Sequence, residues 1–200
     1  MGELRESKKR ETRQRISDVA TKLFFARGFD AVTIDEIAIA AKVSKMTVFN
    51  YFARKEELIL DREDDLQLLP FRHALRKRSR DHSPIEALRT LVQEMSDQKH
   101  PLCYINSQMV SWWRVVDASP SVKARLRELA DEATEGLAIE LGGPKADGLT
   151  RLKAGMIVLT LRTAREEAIR LIEHGASTKK ANAAFLALIK QGLAAVEQLP

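Results

Sequence analysis

The sequence has 200 residues, with 33 Lys and Arg against 28 Asp and Glu and a single cysteine. One cysteine cannot form a disulfide within the chain, and the longest apolar run, Met156 to Leu161, is far shorter than the roughly 20 residues that span a bilayer. No apolar segment follows the charged N-terminal residues, so the sequence predicts a cytoplasmic protein rather than a secreted or membrane-inserted one.

The net charge of +5 comes entirely from the first quarter of the chain. Residues 1–55 contain 12 Lys and Arg against seven Asp and Glu, whereas residues 56–200 contain 21 of each. This asymmetry indicates that the N-terminal part meets a polyanion. The basic cluster of Lys8, Lys9 and Arg10, with Arg13 and Arg15, is expected either to add phosphate contacts or to form a solvated, disordered tail.

Three short helices are predicted within the first 55 residues. Apolar residues at three- and four-residue steps over 13–27 predict the first helix, which Gly28 ends. Thr33 and Glu36 have the spacing of a capping box, which begins the second helix. Ser44 is the expected N-cap of the third helix. The turn of about three residues between the second and third helices is typical of a helix-turn-helix.

The outer side of the third helix has the composition of a surface that reads DNA. No carboxylate lies between Glu36 and Glu56, as a surface facing phosphates requires. Lys45 can reach the acceptors on the guanine edge in the major groove, and Met46 and Phe49 can pack on thymine methyl groups. Core packing is the alternative for Phe49 and also for the nearby Tyr51.

The remainder of the chain is predicted to be helical, with no strand pattern and no internal repeat, so the fold class is all-α. Pro70 is expected to interrupt or begin a helix. The basic run 72–80 is interpreted as a connector or ragged helix; it could also meet an acidic ligand or flanking DNA. The expected helices are 55–69, one opened by Ser83 and Pro84, 102–116, one opened by Ser119 and Pro120, 149–173 and 178–198.

Several large apolar side chains in this region are candidates for a small-molecule pocket, with ordinary core packing as the alternative. The candidates are Phe71, Met95, Cys103, Tyr104, Met109, Trp112 and Trp113. Adjacent helical residues point about 100 degrees apart, so only one of the two tryptophans is expected to be deeply buried. Arg162 follows an apolar run and is expected to pair with Glu166, at a dimer seam or as a ligand anchor.

The last predicted helix is rich in small residues, including Ala187, Gly192 and Ala195. Small residues let another helix approach closely. Together with the apolar helix before it, this pattern predicts a two-fold interface to which each subunit contributes two helices.

Residues 33–58 read TIDEIAIAAKVSKMTVFNYFARKEEL, and residues 23–29 read LFFARGF. Over roughly residues 10–60 the chain resembles the TetR family of bacterial transcriptional regulators. The resemblance implies a three-helix DNA-binding domain in residues 1–56, with a basic N-terminal arm. It also implies a larger helical domain in residues 57–200 that binds a small effector and forms a homodimer through its last two helices.

The resemblance also implies residue roles. Base edges are expected at Lys45, Met46, Thr47 and Phe49, and phosphates at Thr33, Asn50, Tyr51 and Lys55; amides at the helix start after Ser44 also suit a phosphate. Two positions depart from the family pattern. Lys42 stands where the family usually has glycine, so either a strained left-handed residue or a slightly different turn is expected there, and Phe49 lacks the hydroxyl of the common tyrosine.

The resemblance therefore implies a ligand-responsive repressor that binds a palindromic operator as a homodimer and is released by a small, hydrophobic effector. One alternative is a DNA-binding or architectural protein without an effector. The other is an all-helical enzyme, although the sequence has no glycine-rich phosphate loop, nucleophile elbow or paired metal-ligand spacing. No cofactor or metal is expected.

Overall fold

The computed structural model describes residues 2–79 and 81–200, and within these ranges it contains helices and no strand. The all-α prediction is confirmed. The helices are α1 (Gly2–Arg27), α2 (Ile34–Ala40), α3 (Lys45–Tyr51), a 3-10 turn (Lys55–Leu58), α4 (Glu63–Leu66), α5 (Leu69–Lys77), α6 (Pro84–Asp97), α7 (Ser107–Ala118), α8 (Pro120–Gly142), α9 (Gly148–Glu173) and α10 (Thr178–Glu197). None of the helices in these ranges is long and apolar enough to cross a membrane.

The chain packs as two compact units. The N-terminal unit comprises the residues up to Glu63 together with Ser111–Leu126, and the C-terminal unit comprises Asp64–Val110 and Arg127–Pro200. Ser119, which is 1% exposed, donates a hydrogen bond of 2.8 Å to Asp30 and so helps to hold the segment 111–126 in the N-terminal unit. A domain boundary after residue 56 remains a prediction.

Helix α1 supplies much of the core of the N-terminal unit through Ile16, Ala20 and Phe24, which are fully buried as their spacing predicts. The helix begins at Gly2, well before the apolar pattern does. Residues 5–15 consist mainly of Glu, Arg, Lys and Gln, which favour helix, and the sequence places Glu6 four residues before Arg10 and Glu11 four residues before Arg15. The alternative of a disordered basic tail is therefore wrong for the described residues.

The single helix predicted over 55–69 is wrong, because the chain leaves the helical path near Asp61. The Asp61 carboxylate accepts hydrogen bonds from Ser17 and from Arg13, the latter at 3.0 Å, which ties this link to α1. Leu68 then adopts a left-handed conformation, with φ 54°, immediately before α5 begins. Pro70 lies in the first turn of α5, one of the two positions expected for it.

Of the two interpretations of residues 72–80, the connector is wrong for residues 72–77, which belong to the helix α5. Phe71 and Leu75 lie four residues apart and are fully buried, so they anchor one side of the helix to the core. The surrounding cations remain on its other sides. An excess of charge concealed this short apolar stripe.

The helix predicted over 102–116 begins at Ser107 instead. The side chain of Asn182 accepts a hydrogen bond of 2.8 Å from the Ile105 N–H and donates one of 2.7 Å to the Ile105 carbonyl. These bonds occupy backbone groups that a longer helix would need. The partner lies in α10, far away in sequence, so local periodicity could not reveal it.

Helices α9 and α10 are joined by a short turn at Gly175, which has φ 85°. At Gly192 of α10 an added Cβ would overlap the side chain of Thr160 in α9, so the backbones come closest there. The small residue Gly192 thus serves packing within the chain. Ala187 and Ala195, in contrast, are exposed on α10.

Candidate nucleic-acid interface

The second helix of the N-terminal unit begins with the predicted capping box. Thr33 accepts a hydrogen bond of 3.2 Å from the Glu36 N–H, and the Glu36 carboxylate accepts one of 2.8 Å from the Thr33 N–H. That backbone bond, followed by the Arg27 guanidinium at 2.6 Å, lowers the pKa of Glu36 to about 2. This end of α2 therefore already holds a carboxylate, with which a phosphate at Thr33 would have to compete.

The turn between α2 and α3 is tight and contains a strained left-handed residue, one of the two alternatives expected at this turn. Lys42 has φ 55°, and the Val43 N–H donates to the Ala38 carbonyl at 3.0 Å. Ser44 then caps α3, since its hydroxyl accepts a hydrogen bond of 3.0 Å from the Thr47 N–H. The turn and cap together fix where α3 starts and which side of it is buried.

Helix α3 contacts the core of its unit through Val48, which is fully buried, and the chain returns to the core at Phe52, 1% exposed. The predicted outer residues do lie on the outside. Met46 is 69% exposed and Phe49 is 42% exposed, so core packing is not the role of Phe49. Lys45 and Asn50 are also exposed, whereas Thr47 and Tyr51 are half-buried.

Two residues of α2 add to this outer surface and were missed by the sequence analysis. The Asp35 carboxylate lies 2.9 Å from the ammonium of Lys45. Ile39 is 77% exposed. The spacing of Asp35 and Lys45 does not indicate a pair, because their contact depends on how α2 and α3 cross.

Lys55 occupies a different environment from the exposed lysines of α3. Its ammonium donates a hydrogen bond of 2.7 Å to the Phe29 carbonyl and lies 4.3 Å from the centre of the Phe29 ring. Burial lowers the pKa of Lys55 despite the nearby carboxylate of Asp30. A phosphate role for Lys55 remains a prediction, and the structure gives this residue a packing role within the unit.

The basic residues of α1 separate into two groups. Lys8, Lys9, Arg10 and Arg15 are exposed along the helix. Arg13 instead lies 4.4 Å from the centre of the Phe52 ring and forms its ion pair with Asp61. Among these five residues of the basic cluster, the four exposed ones are available to a phosphate backbone without breaking the contacts that Arg13 makes.

The same segment matches the family model described as bacterial regulatory proteins, tetR family, over residues 16–61. Over these residues the chain is similar to the TetR family, which confirms the resemblance predicted over roughly residues 10–60. Helix α3, with its exposed outer face, lies within the matched segment.

Known TetR-type regulators match this chain over different lengths. It is 42% identical over 57 residues to TcmR of Streptomyces glaucescens, covering 28% of this chain and 25% of TcmR. The chain thus spans about a quarter of that relative, and similarly of two further curated regulators. It is 28% identical over 166 residues to the transcriptional activator FasR of Mycolicibacterium smegmatis, covering 78% of this chain and 71% of FasR.

Likeness to solved structures extends over most of the chain. The SmeT–triclosan complex has a TM-score of 0.62 and 16% identity, covering 92% of this chain and 91% of that chain. At this identity the likeness establishes the TetR-type fold alone.

The candidate ligand residues fall in both units. Phe71 is fully buried and Met95 is 6% exposed in the core of the C-terminal unit, against which Met109 packs. Tyr104 is half-buried in the same unit. In the N-terminal unit Trp113 is 5% exposed and Trp112 half-buried, confirming that only one tryptophan is deeply buried.

Arg162 of α9 lies on the surface rather than in a core. Its guanidinium is 3.6 Å from the Glu166 carboxylate, which confirms the predicted pair. Both side chains are more than half exposed in the chain. An exposed pair of this kind contributes little to stability, and both roles of Arg162, at a dimer seam or as a ligand anchor, remain predictions.

Proposed function

We propose that this chain is a cytoplasmic transcriptional regulator that recognises operator DNA through the exposed face of α3. The observation that carries the proposal is the capped, tight corner between α2 and α3, which leaves Lys45, Met46 and Phe49 outside. A helix presented in this way fits the major groove of a duplex.

The proposed contacts follow from the chemistry of the exposed side chains. Lys45 donates to guanine acceptors, while Met46 and Phe49 pack on thymine methyl groups, with Thr47 beside them. Backbone phosphates are met by Thr33, Asn50, Tyr51 and Lys55 and by the helix start at Ser44. These phosphate contacts would set the register and the salt dependence of binding, and the base contacts would set sequence preference.

Selection from a pool of duplexes with a randomised core tests this proposal directly. We expect the native chain to enrich a defined sequence, and we expect Lys45→Ala to weaken binding to it and relax the preference at particular base pairs, by about 5- to 100-fold for the best position. Equal weakening on all duplexes would contradict a base-reading role. Enrichment of no sequence would contradict the proposed function.

We further propose that two copies bind a palindromic operator, joined through α9 and α10. Leu152 and Leu159 of α9 are 53% and 51% exposed, and Ala187 and Ala195 of α10 are exposed. Apolar and small residues on adjoining helices suit a four-helix interface, and a dimer reads two half-sites about one helical turn apart.

Replacing Ala187 and Ala195 together by glutamate tests this seam. We expect a dimer of the native chain in sedimentation velocity to become a monomer, because the charges would have to be buried without partners. The matched control places glutamate at Ala26 of α1 and Ala118 of α7, which are exposed alanines outside α9 and α10. A dimer that survives the substitutions at Ala187 and Ala195 would place the interface elsewhere.

Response to a small hydrophobic effector completes the proposal. The solved SmeT structure is a complex with triclosan, and the proposed apolar contacts here are Phe71, Met95, Tyr104 and Met109 of the C-terminal unit. We propose a repressor that releases DNA when the effector binds, although FasR is named an activator. Coupling of about 1–3 kcal/mol between the two binding events would suffice. An architectural protein would instead bind DNA without responding to any metabolite.

Enzymatic activity is the remaining alternative. The environment of Cys103 disfavours this thiol as a catalytic nucleophile. Burial raises the pKa of Cys103 to about 12, so its thiolate is scarce at neutral pH. Among the described residues no group of three His, Cys, Asp or Glu side chains is arranged to hold a metal ion.

A further inference from the structure

The contact between Asp35 and Lys45 joins the two helices of the corner at the surface proposed to meet DNA. The carboxylate and the ammonium are 2.9 Å apart, and the side chains are 62% and 54% exposed. An ion pair so exposed contributes little to folding stability. The main effect of this ion pair is therefore on the position of the Lys45 side chain.

Asp35 differs in this respect from the acidic residue next to it. The Glu36 carboxylate is bound by the Thr33 N–H and by Arg27, so it is committed to capping α2. The carboxylate of Asp35 is directed to Lys45 instead. One of two adjacent acidic residues thus secures the helix, and the other contacts the lysine proposed to read a base.

A lysine side chain has four rotatable carbon–carbon bonds and carries a point charge, so on a duplex an unguided ammonium is attracted to the nearest phosphates. Phosphate contacts carry no sequence information. An ammonium held by a carboxylate keeps two of its three N–H groups for other acceptors, and guanine offers two, O6 and N7, on its major-groove edge.

We propose that Asp35 is a positioning residue that confers guanine preference on Lys45, by holding its ammonium over the first turn of α3 and away from phosphates. The inference rests on the proposed DNA-binding function and deepens it. Asp35 thereby contributes to sequence specificity, although its negative charge lowers the affinity for DNA.

Asp35→Asn is the informative variant, because it keeps the size of the side chain and removes its charge. We expect binding to random-sequence duplex to strengthen by about 3-fold or more, since a charge repelling phosphates is lost. We expect the preference for guanine over adenine at the Lys45 position to fall by about 3- to 10-fold. If Asp35 had only a structural role, its replacement would not raise the affinity for random duplex and lower the guanine preference at the same time.

Asp18→Asn is the matched control, since Asp18 is an exposed carboxylate of α1 whose partner is Gln14 at 2.9 Å. It makes the same change in net charge and should leave the guanine preference within twofold. Lys45→Met should abolish that preference, and adding Asp35→Asn to it should cause no further loss. If thermal unfolding shows that Asp35→Asn is poorly folded, Asp35→Ser replaces it, because serine is compatible with the first turn of a helix.

The experiment selects duplexes from a pool with a randomised core, using the native chain and each variant, and then measures competition binding on the selected duplex and its guanine-to-adenine counterpart. Loss of the guanine preference with Asp35→Asn alone supports the inference. A preference unchanged by Asp35→Asn, or lost equally with Asp18→Asn, overturns it while leaving the proposed function intact. A native chain that enriches no sequence overturns both.

Discussion

Two regions of the molecule, the corner of α2 and α3 and the segment that precedes α7, use polar side chains in opposite ways. In the N-terminal unit the corner residues pair at the surface with partners close in sequence, as Thr33 does with Glu36. In the C-terminal unit Asn182, 7% exposed, binds the backbone of Ile105, which is 77 residues away. Pairs between residues close in sequence have a spacing that can be recognised in the sequence. A pair between distant residues has no such spacing, even where it contributes more to stability.

The largest effect expected from this contrast is that of Asn182→Ala. The substitution leaves the N–H and the carbonyl of Ile105 without their partner in a buried setting, and we expect a loss of about 2–4 kcal/mol in the free energy of unfolding. Urea denaturation followed by circular dichroism measures it.

Gln191→Ala is the control for that measurement, since Gln191 is exposed on the same helix and should change stability by less than about 0.5 kcal/mol. If the two variants were equally stable, the buried asparagine would not be the link that holds the segment before α7. The contrast between local and distant polar pairs would then lose its energetic basis.

An intermediate effect is expected at Lys55, which tests whether a lysine of the N-terminal unit serves packing or DNA. Lys55→Met removes the hydrogen bond to the Phe29 carbonyl and the contact with the Phe29 ring. We expect the unfolding free energy to fall by about 1–3 kcal/mol. Thermal and urea unfolding measure this loss. Duplex binding at several salt concentrations measures whether Lys55 also contributes an electrostatic contact with DNA.

Lys45→Met is the matched variant, because Lys45 is exposed and should alter stability by less than about 0.5 kcal/mol. Should Lys55→Met leave stability intact and flatten the salt dependence of DNA binding by about one unit, Lys55 would be a phosphate contact as its position in the motif predicts. The packing role would then be excluded.

The smallest effect concerns the capping box and is a dependence on pH. The pKa of Glu36 is lowered to about 2, so its carboxylate stabilises the folded state above the ordinary value of 4.5 and loses that contribution as the pH falls towards 2. We expect a carboxyl titration followed by NMR to have its midpoint near 2, and Glu36→Gln to show a shallower fall in melting temperature between pH 4.5 and 2.

Arg27→Gln separates the causes of that shift. The backbone N–H of Thr33 is the larger cause and remains in this variant, so the pKa of Glu36 should stay well below 4.5. A midpoint close to 4.5 in the native protein would show that the capping box does not form in solution.

Much of the corner could be predicted because its signals are local. The caps at Thr33 and Ser44 and the outward Met46 follow from spacing or residue type over a few positions, whereas the left-handed Lys42 was one of two alternatives implied by the family resemblance. The same reasoning located the start of α6 at Ser83, where a capping box with Glu86 is present.

The errors arise where tertiary contacts decide the backbone. Asp61 is drawn from a helical path by Ser17 and Arg13, and Ile105 by Asn182. Asp35 meets Lys45 only because two helices cross. Each of these contacts joins residues whose separation in sequence carries no periodic signal, so only the folded chain reveals them.

The left-handed Lys42 has a kinetic consequence. A glycine would relieve roughly 1 kcal/mol of backbone strain at this turn, but it would carry no charge. The exposed lysine adds one positive charge beside the start of α3, and a positive potential there raises the rate at which a polyanion is captured from solution. The lysine at this turn thus costs a little backbone strain and adds a charge that would raise the association rate with a polyanion.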